Sequence, residues 1–300
     1  MLRIDPSDLR TSDLQTYMQA AIAPRPICFA STVDKEGNVN LSPFSFFNMM
    51  SSNPPLCVFS PSRRVRDNTT KHTLENLYVV PECVINIVNY PIVYQTSLAS
   101  TEFPGGINEF IKAGLTPLES EVVKPPRVAE SPVQFECTVN QIIPLGEQPG
   151  AGNLVIAEVK LIHIKEDILD DSGKIDQTKI DLVARLGGDW YCRVTEESLF
   201  KIPKPITKIG IGIDGLPEFI KNSPVLTGNH LGQLANIEKV PSLTAVVEFL
   251  HNSPELQTLI DVFRDNPDKT EEVLHRKAKI LLDQGRLEEA WMTLMTYKLL

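Results

Sequence analysis

Between Ile27 and Arg193 the apolar residues come in short runs with a repeat of two, and helical spacing is scarce. Ile27 to Val33 is followed by a polar, glycine-containing turn, Asp34 to Asn38, and then by the alternating Val39-Asn-Leu-Ser42. This order predicts a β-hairpin. Leu56 to Phe59 and Cys83 to Val88 predict further strands, and Gln134 to Ile143 and Asn153 to Ile164 the longest. In the last of these, Val155, Ala157, Val159 and Leu161 share one face. Ile156, Glu158, Lys160, Ile162 and Ile164 share the other. Only Thr73 to Val79 and Ile92 to Ala99 read as helices among these strands. Strands that are not interleaved with 10–15-residue helices exclude a doubly wound parallel sheet. No G-x-G-x-x-G follows a strand and there is no Walker A sequence. The expected class is mainly β with added helices, built on an antiparallel barrel.

The two ends differ from this middle. In residues 1–24, Ser12 is placed to cap a helix carrying Leu14, Met18 and Ala21, which Pro24 and Pro26 then stop. After about Pro205 comes a glycine-interrupted apolar run, Ile209 to Ile213, and from Pro254 the pattern is helical. Val273, Leu274, Lys277, Ala278 and Leu281 make one stripe, and Leu287, Ala290, Trp291, Leu294 and Met295 a second, with Gly285 between them. This spacing predicts an αα-hairpin. The domains are therefore expected at 1–205 and 206–300, the latter a mostly helical C-terminal extension. The helix pair would cap the barrel or a neighbouring subunit, or serve as a docking module.

Composition narrows the function classes. With 42% hydrophobic and 22% charged residues in 300, the chain is neither disordered nor a coiled-coil rod. A net charge of −9 disfavours nucleic acid and anionic membranes as partners. No apolar run reaches the length of a membrane-spanning helix, and MLRIDPSDLR lacks the apolar stretch of a signal peptide. The five cysteines are odd in number and form no C-x-x-C pair, which suits reduced thiols in a cytoplasmic protein. The acidic run at 166–171 lacks calcium-loop spacing and reads as a solvated turn.

Chemistry concentrates between Pro24 and Asn89. Leu41-Ser-Pro-Phe-Ser-Phe-Phe-Asn48 crowds aromatics, hydroxyls and a proline at the exit of a strand. Pro43 would bend the chain away from the sheet, freeing backbone groups for a ligand edge beside an apolar wall. Core phenylalanines at a barrel corner would give the same text. Ser60-Pro-Ser-Arg-Arg-Val-Arg66 then leads into Asp67 to Thr73, where three arginines and a lysine gather among hydroxyls ahead of a helix. That group suits a phosphate, although a solvated loop with a capped helix also accounts for it. Ser52-Asn-Pro-Pro55 reads as a stiff extended segment or an ordinary turn. An aromatic slot close to a phosphate site suggests a mononucleotide-like cofactor.

The stretch RPICFASTVDKEGNVNLSPFSFFNMMSSNPP, followed by NTTKHTLENL and ECVINIVN, resembles the flavin reductase-like, FMN-binding split-barrel family, and its flavoredoxin-type members in particular. FPGGINEFIKAGLTPLES, PPRVAESPVQFEC, GNLVIAEVKLIHI and IDLVARLGGDWYCRV continue the likeness in order, over about residues 10–205. The resemblance implies a homodimer of antiparallel split β-barrels with one FMN per subunit near the interface. Thr32, Ser42, Pro43, Phe44, Ser45 and Asn48 would hold the isoalloxazine. Ser60, Arg63, Lys71 and Thr73 would serve the phosphate, Lys71-His-Thr73 matching the family's K-x-T pair. Gly187, Gly188 and Trp190 would shape the far side, Gly188 by allowing close backbone approach. His163 is either a core or interface histidine or a lining for a nicotinamide, and the 100–106 loop is a second such lining. The implied activity is hydride transfer from NADH or NADPH through FMN to flavin or a small acceptor. The alternative is a flavin-binding electron carrier or sensor without nicotinamide turnover.

Overall fold

The computed structural model describes residues 1–202 and 209–300. They divide into two compact units, Met1–Phe200 and Lys201–Leu300. The boundary expected between 205 and 206 lies outside the described residues.

The first unit opens with helix α1 (Thr11–Ala21) and the short strand β1 (Arg25–Pro26). The strands β2 (Cys28–Val33), β3 (Val39–Phe44), β4 (Phe47–Ser52) and β5 (Pro55–Phe59) follow. Next come α2 (His72–Val79), β6 (Glu82–Ile87), α3 (Val93–Ala99) and α4 (Glu109–Ala113). The strands β7 (Pro117–Leu118), β8 (Arg127–Val128), β9 (Val133–Pro144), β10 (Asn153–Ile164), β11 (Val183–Arg185) and β12 (Tyr191–Arg193) complete it.

Seven strands form one antiparallel sheet in the order β3-β2-β6-β9-β10-β5-β4, beside a smaller sheet, β1-β11-β12. β3 and β4 end the large sheet on opposite sides, yet only Ser45 and Phe46 separate them in sequence. Two residues cannot span a flat seven-stranded sheet whose neighbours lie about 4.8 Å apart. The sheet therefore curls until its edges meet, as a split barrel. Phe44 of β3 and Phe59 of β5 accordingly have ring centroids 5.2 Å apart. Cys28, Phe44, Phe59, Ile85, Val155 and Ala157 lie in the barrel core. The opposite face of β2 and β3, with Phe29 and Leu41, packs on Ile92, Ala99 and Phe110.

Three local expectations are corrected. Helix α1 begins at Thr11, with Arg10 rather than Ser12 in the capping position; Arg10 clamps Asp13 at 2.7 and 3.0 Å. Pro43 does not end its strand, because β3 is an edge strand and a missing N–H there breaks no ladder. The bend falls at Ser45–Phe46. The 52–55 segment is the tight turn of the β4–β5 hairpin, where Ser52 pairs with Pro55 across a cis Asn53–Pro54 bond, so the extended reading fails.

Cys28, Cys57, Cys83 and Cys137 are buried thiols, and burial pushes Cys57 up to about 11, so it stays neutral. No helix among the described residues is long and apolar enough to cross a membrane.

The second unit is helical: α5 (Glu218–Lys221), α6 (Gly228–Ala235), α7 (Leu243–His251), α8 (Pro254–Phe263), α9 (Pro267–Asp283) and α10 (Leu287–Met295). Gly285, at φ +74°, makes the turn between α9 and α10 that a side chain would strain. Ala278, Leu281, Trp291 and Leu294 pack with Leu234, and the Trp291 indole donates to the Leu234 carbonyl at 3.1 Å. The Ile209 to Ile213 run forms no strand.

Candidate functional site

The β2–β3 hairpin places one group of the expected site residues on a single face. Thr32 stands opposite Asn40, Ala30 opposite Ser42 and Cys28 opposite Phe44. Opposite residues of an antiparallel pair point the same way. The start of α2 belongs to the same place. Asn40 donates to the Thr73 hydroxyl at 2.9 Å, and Asn76 to the Thr32 hydroxyl at 3.1 Å. The Lys71 ammonium lies 5.5 Å from the centroid of the Phe44 ring. Phe59 continues the row, and Ser60 follows it in the chain. Thr32, Ser42, Phe44, Lys71 and Thr73 are thus brought together, while Ser60, next after Phe59, bonds through its N–H to the Phe46 carbonyl at the barrel corner.

The cations beside this face differ sharply in what they do. Arg63 gives Nε and Nη2 to the Oδ1 and carbonyl of Asn68, each at 2.7 Å. Arg64 binds the Thr69 hydroxyl at 2.8 Å, the Thr70 carbonyl and Glu102, and Arg66 binds Asp67 and Glu102. These arginines hold their own loop and tether the 100–106 loop through Glu102. Lys71 has no carboxylate or hydrogen-bond partner among the described residues, and its contact is the Phe44 ring. Burial, and then the nearby Arg64, lower its pKa, against the pull of Glu102. Such a cation favours an incoming anion. The Ser60 hydroxyl is likewise buried without a partner. A Cβ on Gly152 would come within 2.7 Å of it, so glycine keeps that side of the hydroxyl clear.

Other expected residues lie apart. Pro43 pairs with Phe29 and so faces the opposite side of the hairpin. Asn48 is exposed on edge strand β4, and Ser45 is half-buried at the bend. Gly188 and Trp190 occupy the β11–β12 turn, Trp190 with 76% of its surface exposed. Gly188 is needed for its φ of +58°, since nothing lies within 4 Å of a Cβ built there. The close approach belongs to Gly187, where a Cβ would sit 2.9 Å from that of Ala20 on α1. His163 Nε2 meets Glu136 Oε1 at 2.7 Å. Glu136 is fully buried and accepts the backbone N–H groups of Glu121, Val122 and Val123, so this pair anchors a loop.

Sequence reasoning missed Glu109, which is 6% exposed and accepts the Leu41 N–H of edge strand β3 at 2.9 Å. Its signal was an acid directly after Asn108, the side-chain cap of α4.

Residues 20–179 match the family model described as flavin reductase like domain. The chain belongs to the flavin reductase-like family. It is 37% identical over 181 residues to an uncharacterized protein of Aquifex aeolicus, covering 60% of this chain and 90% of that one. Among solved structures, nitrilotriacetate monooxygenase component B from Bacillus cereus aligns with a TM-score of 0.63 and 32% identity over 67% of this chain and 98% of its own. The 2-nitrobenzoate 2-nitroreductase NbaA of Pseudomonas fluorescens aligns with a TM-score of 0.60 and 26% identity over 70% and 100%. Each of these proteins is covered almost whole, while 30–40% of this chain remains outside the match.

Proposed function

We propose that this protein binds FMN and uses NADH or NADPH to reduce flavin or a small acceptor, working as a homodimer with the flavin near the interface. The observation that carries the reading is the Lys71 ammonium over the Phe44 ring, which forms no ion pair or hydrogen bond among the described residues, together with the buried, partnerless Ser60 hydroxyl. A cation without a counter-ion and a hydroxyl without a partner fit a phosphate ester, which carries about two negative charges and several acceptors.

In this reading Lys71 and Ser60 bind the ester and Thr73 lies at the start of α2 beside them. Phe44 walls the ring, Ser42 offers its hydroxyl along the edge with Thr32 buried behind it and held by Asn76, and Ser45 would reach the ring from the bend, apart from this row. Arg63 acts indirectly, by shaping the loop. Pro43, Asn48, Gly188 and Trp190 stand away from this face within one subunit, and their part would come through the partner copy. When bound, the flavin supplies the hydride-accepting chemistry. The chain supplies binding and orientation, and keeps water off one ring face with Phe44.

The test is an FMN titration of the purified full-length protein followed by mixing with NADH or NADPH under anaerobic conditions. Saturable binding of FMN and rapid bleaching of its absorbance are expected. Failure to bind FMN removes the reading. Binding without bleaching by either nicotinamide leaves an electron carrier in place of a reductase.

A further inference from the structure

A largely apolar cavity of about 330 Å³ lies beside α1; two of its wall residues bond through their backbones to residues named above, Phe46 to Ser60 and Gly150 to Arg63. Leu14, Met18 and Ile22 line it from the helix, Phe46 from the barrel corner and Gly150 from the β9–β10 loop, with Arg25 in the wall.

Arg25 is the unusual member. It is 7% exposed. Its Nη1 donates to the carbonyls of Gln19 and Ile22 at 2.5 and 2.6 Å, and its Nη2 to that of Leu186 at 2.9 Å. Its Nε is buried and has no partner. At Arg10–Asp13, Arg193–Asp181 and Arg286–Glu289 the Nε and Nη2 edge grips a carboxylate. Arg25 has no such carboxylate among the described residues. Its cross-strand neighbour is another cation, Arg185. Burial and then Arg185 both lower the Arg25 pKa. Carbonyl dipoles satisfy protons, but they do not cancel a charge. In a chain of net charge −9, a buried guanidinium without a counter-ion at the wall of an apolar cavity is a place of selective positive potential.

We propose that this cavity binds a small organic anion, an aryl or short alkyl carboxylate, with its apolar body against Met18, Ile22 and Phe46 and its charge toward Arg25. The inference does not depend on FMN binding. Charge complementarity selects the anion, and the cavity walls select an apolar body over an inorganic ion.

The experiment is calorimetric titration of the full-length protein with 2-naphthoate and with its neutral counterpart 2-naphthamide, with and without saturating FMN. Naphthoate is expected to bind once per chain, about tenfold or more tighter than the amide. Ile22→Glu places a competing carboxylate beside the cavity and should erase most of that preference. Met18→Trp fills the space and should weaken both ligands. Ile22 and Met18 are 61% and 51% exposed, so both variants should fold, which circular dichroism checks. Equal affinity for acid and amide, no saturable binding, displacement of naphthoate by FMN, or indifference to Ile22→Glu would each overturn the proposal. Loss of FMN binding alone, with naphthoate still bound, would instead count against the flavin reading.

Discussion

Lys71 rests over the ring of Phe44, 5.5 Å from its centroid, and forms a contact ion pair with no carboxylate of the described residues, Glu102 acting on it only from a distance. Phe44 in turn lies 5.2 Å from Phe59, so a cation and two buried aromatic rings form one continuous row reaching into the barrel core. Lys71→Ala should therefore weaken FMN more than riboflavin, because only FMN brings a charged ester. A charge-assisted contact of about 1.5–3 kcal/mol corresponds to roughly ten- to a hundredfold in affinity. Parallel titrations of the two ligands decide this, and equal losses would contradict the assignment.

Acid stability should depend on Glu136. Burial opposes its ionisation, but the N–H groups of Glu121 and Val122 and the His163 ring outweigh burial and hold its pKa below the usual range. A carboxyl with a lowered folded-state pKa adds stability above its unfolded value, and this is lost as pH falls through the folded one. Urea melts of wild type should lose stability from about pH 5 downward. Glu136→Gln should cost about 1–3 kcal/mol at pH 7 and flatten that slope. An unchanged slope would show that the acid dependence lies elsewhere.

Glu109 should behave with the opposite sign. Burial raises its pKa, against the opposing pull of the Leu41 N–H. A carboxyl raised in the folded state costs stability as pH rises from its unfolded value through the folded one. Glu109→Gln keeps an acceptor for Leu41 and should melt no lower than wild type at pH 7. Glu109→Ala leaves that donor bare and should melt lower. Thermal scans of the pair distinguish the two effects.

Gly187 is expected to tolerate no side chain. Gly187→Ala drives a Cβ to 2.9 Å from the Ala20 Cβ and 3.0 Å from its Cα, and overpacking of this kind costs about 1–3 kcal/mol. Ala20→Gly should relieve part of that loss in the double variant, because one of the two clashes disappears. Additive losses in denaturant melts would argue that the helix and the turn are not in contact in solution.

Much of the fold was legible because its strands obey a single rule. β3, β9 and β10 largely alternate apolar with polar residues, β2 is a short run buried on both faces, and α9 and α10 carry clean stripes around Gly285. β4 was not legible, since Phe47 to Ser52 shows little alternation and is mostly exposed at an edge. Pro43 misled for a related reason: whether a proline ends a strand depends on what lies beside the strand, which only the pairing reveals. In the candidate site, aromatics and hydroxyls were visible as a cluster, but the arginines of 63–66 were indistinguishable from Lys71 until their partners were known. The buried carboxylates of Glu109 and Glu136 were hidden because their backbone donors are distant in sequence, Leu41 on β3 for the one and the loop at 121–123 for the other.

The two tryptophans fall one in each compact unit. Trp190 is 76% exposed in the first, and Trp291 is 1% exposed in the second. The native chain consequently carries two optical reporters, one emitting at the red, hydrated end of the spectrum and one at the blue. Shifts at one end follow the barrel and shifts at the other the helices, so a single heating experiment without labels can show whether the two halves melt together.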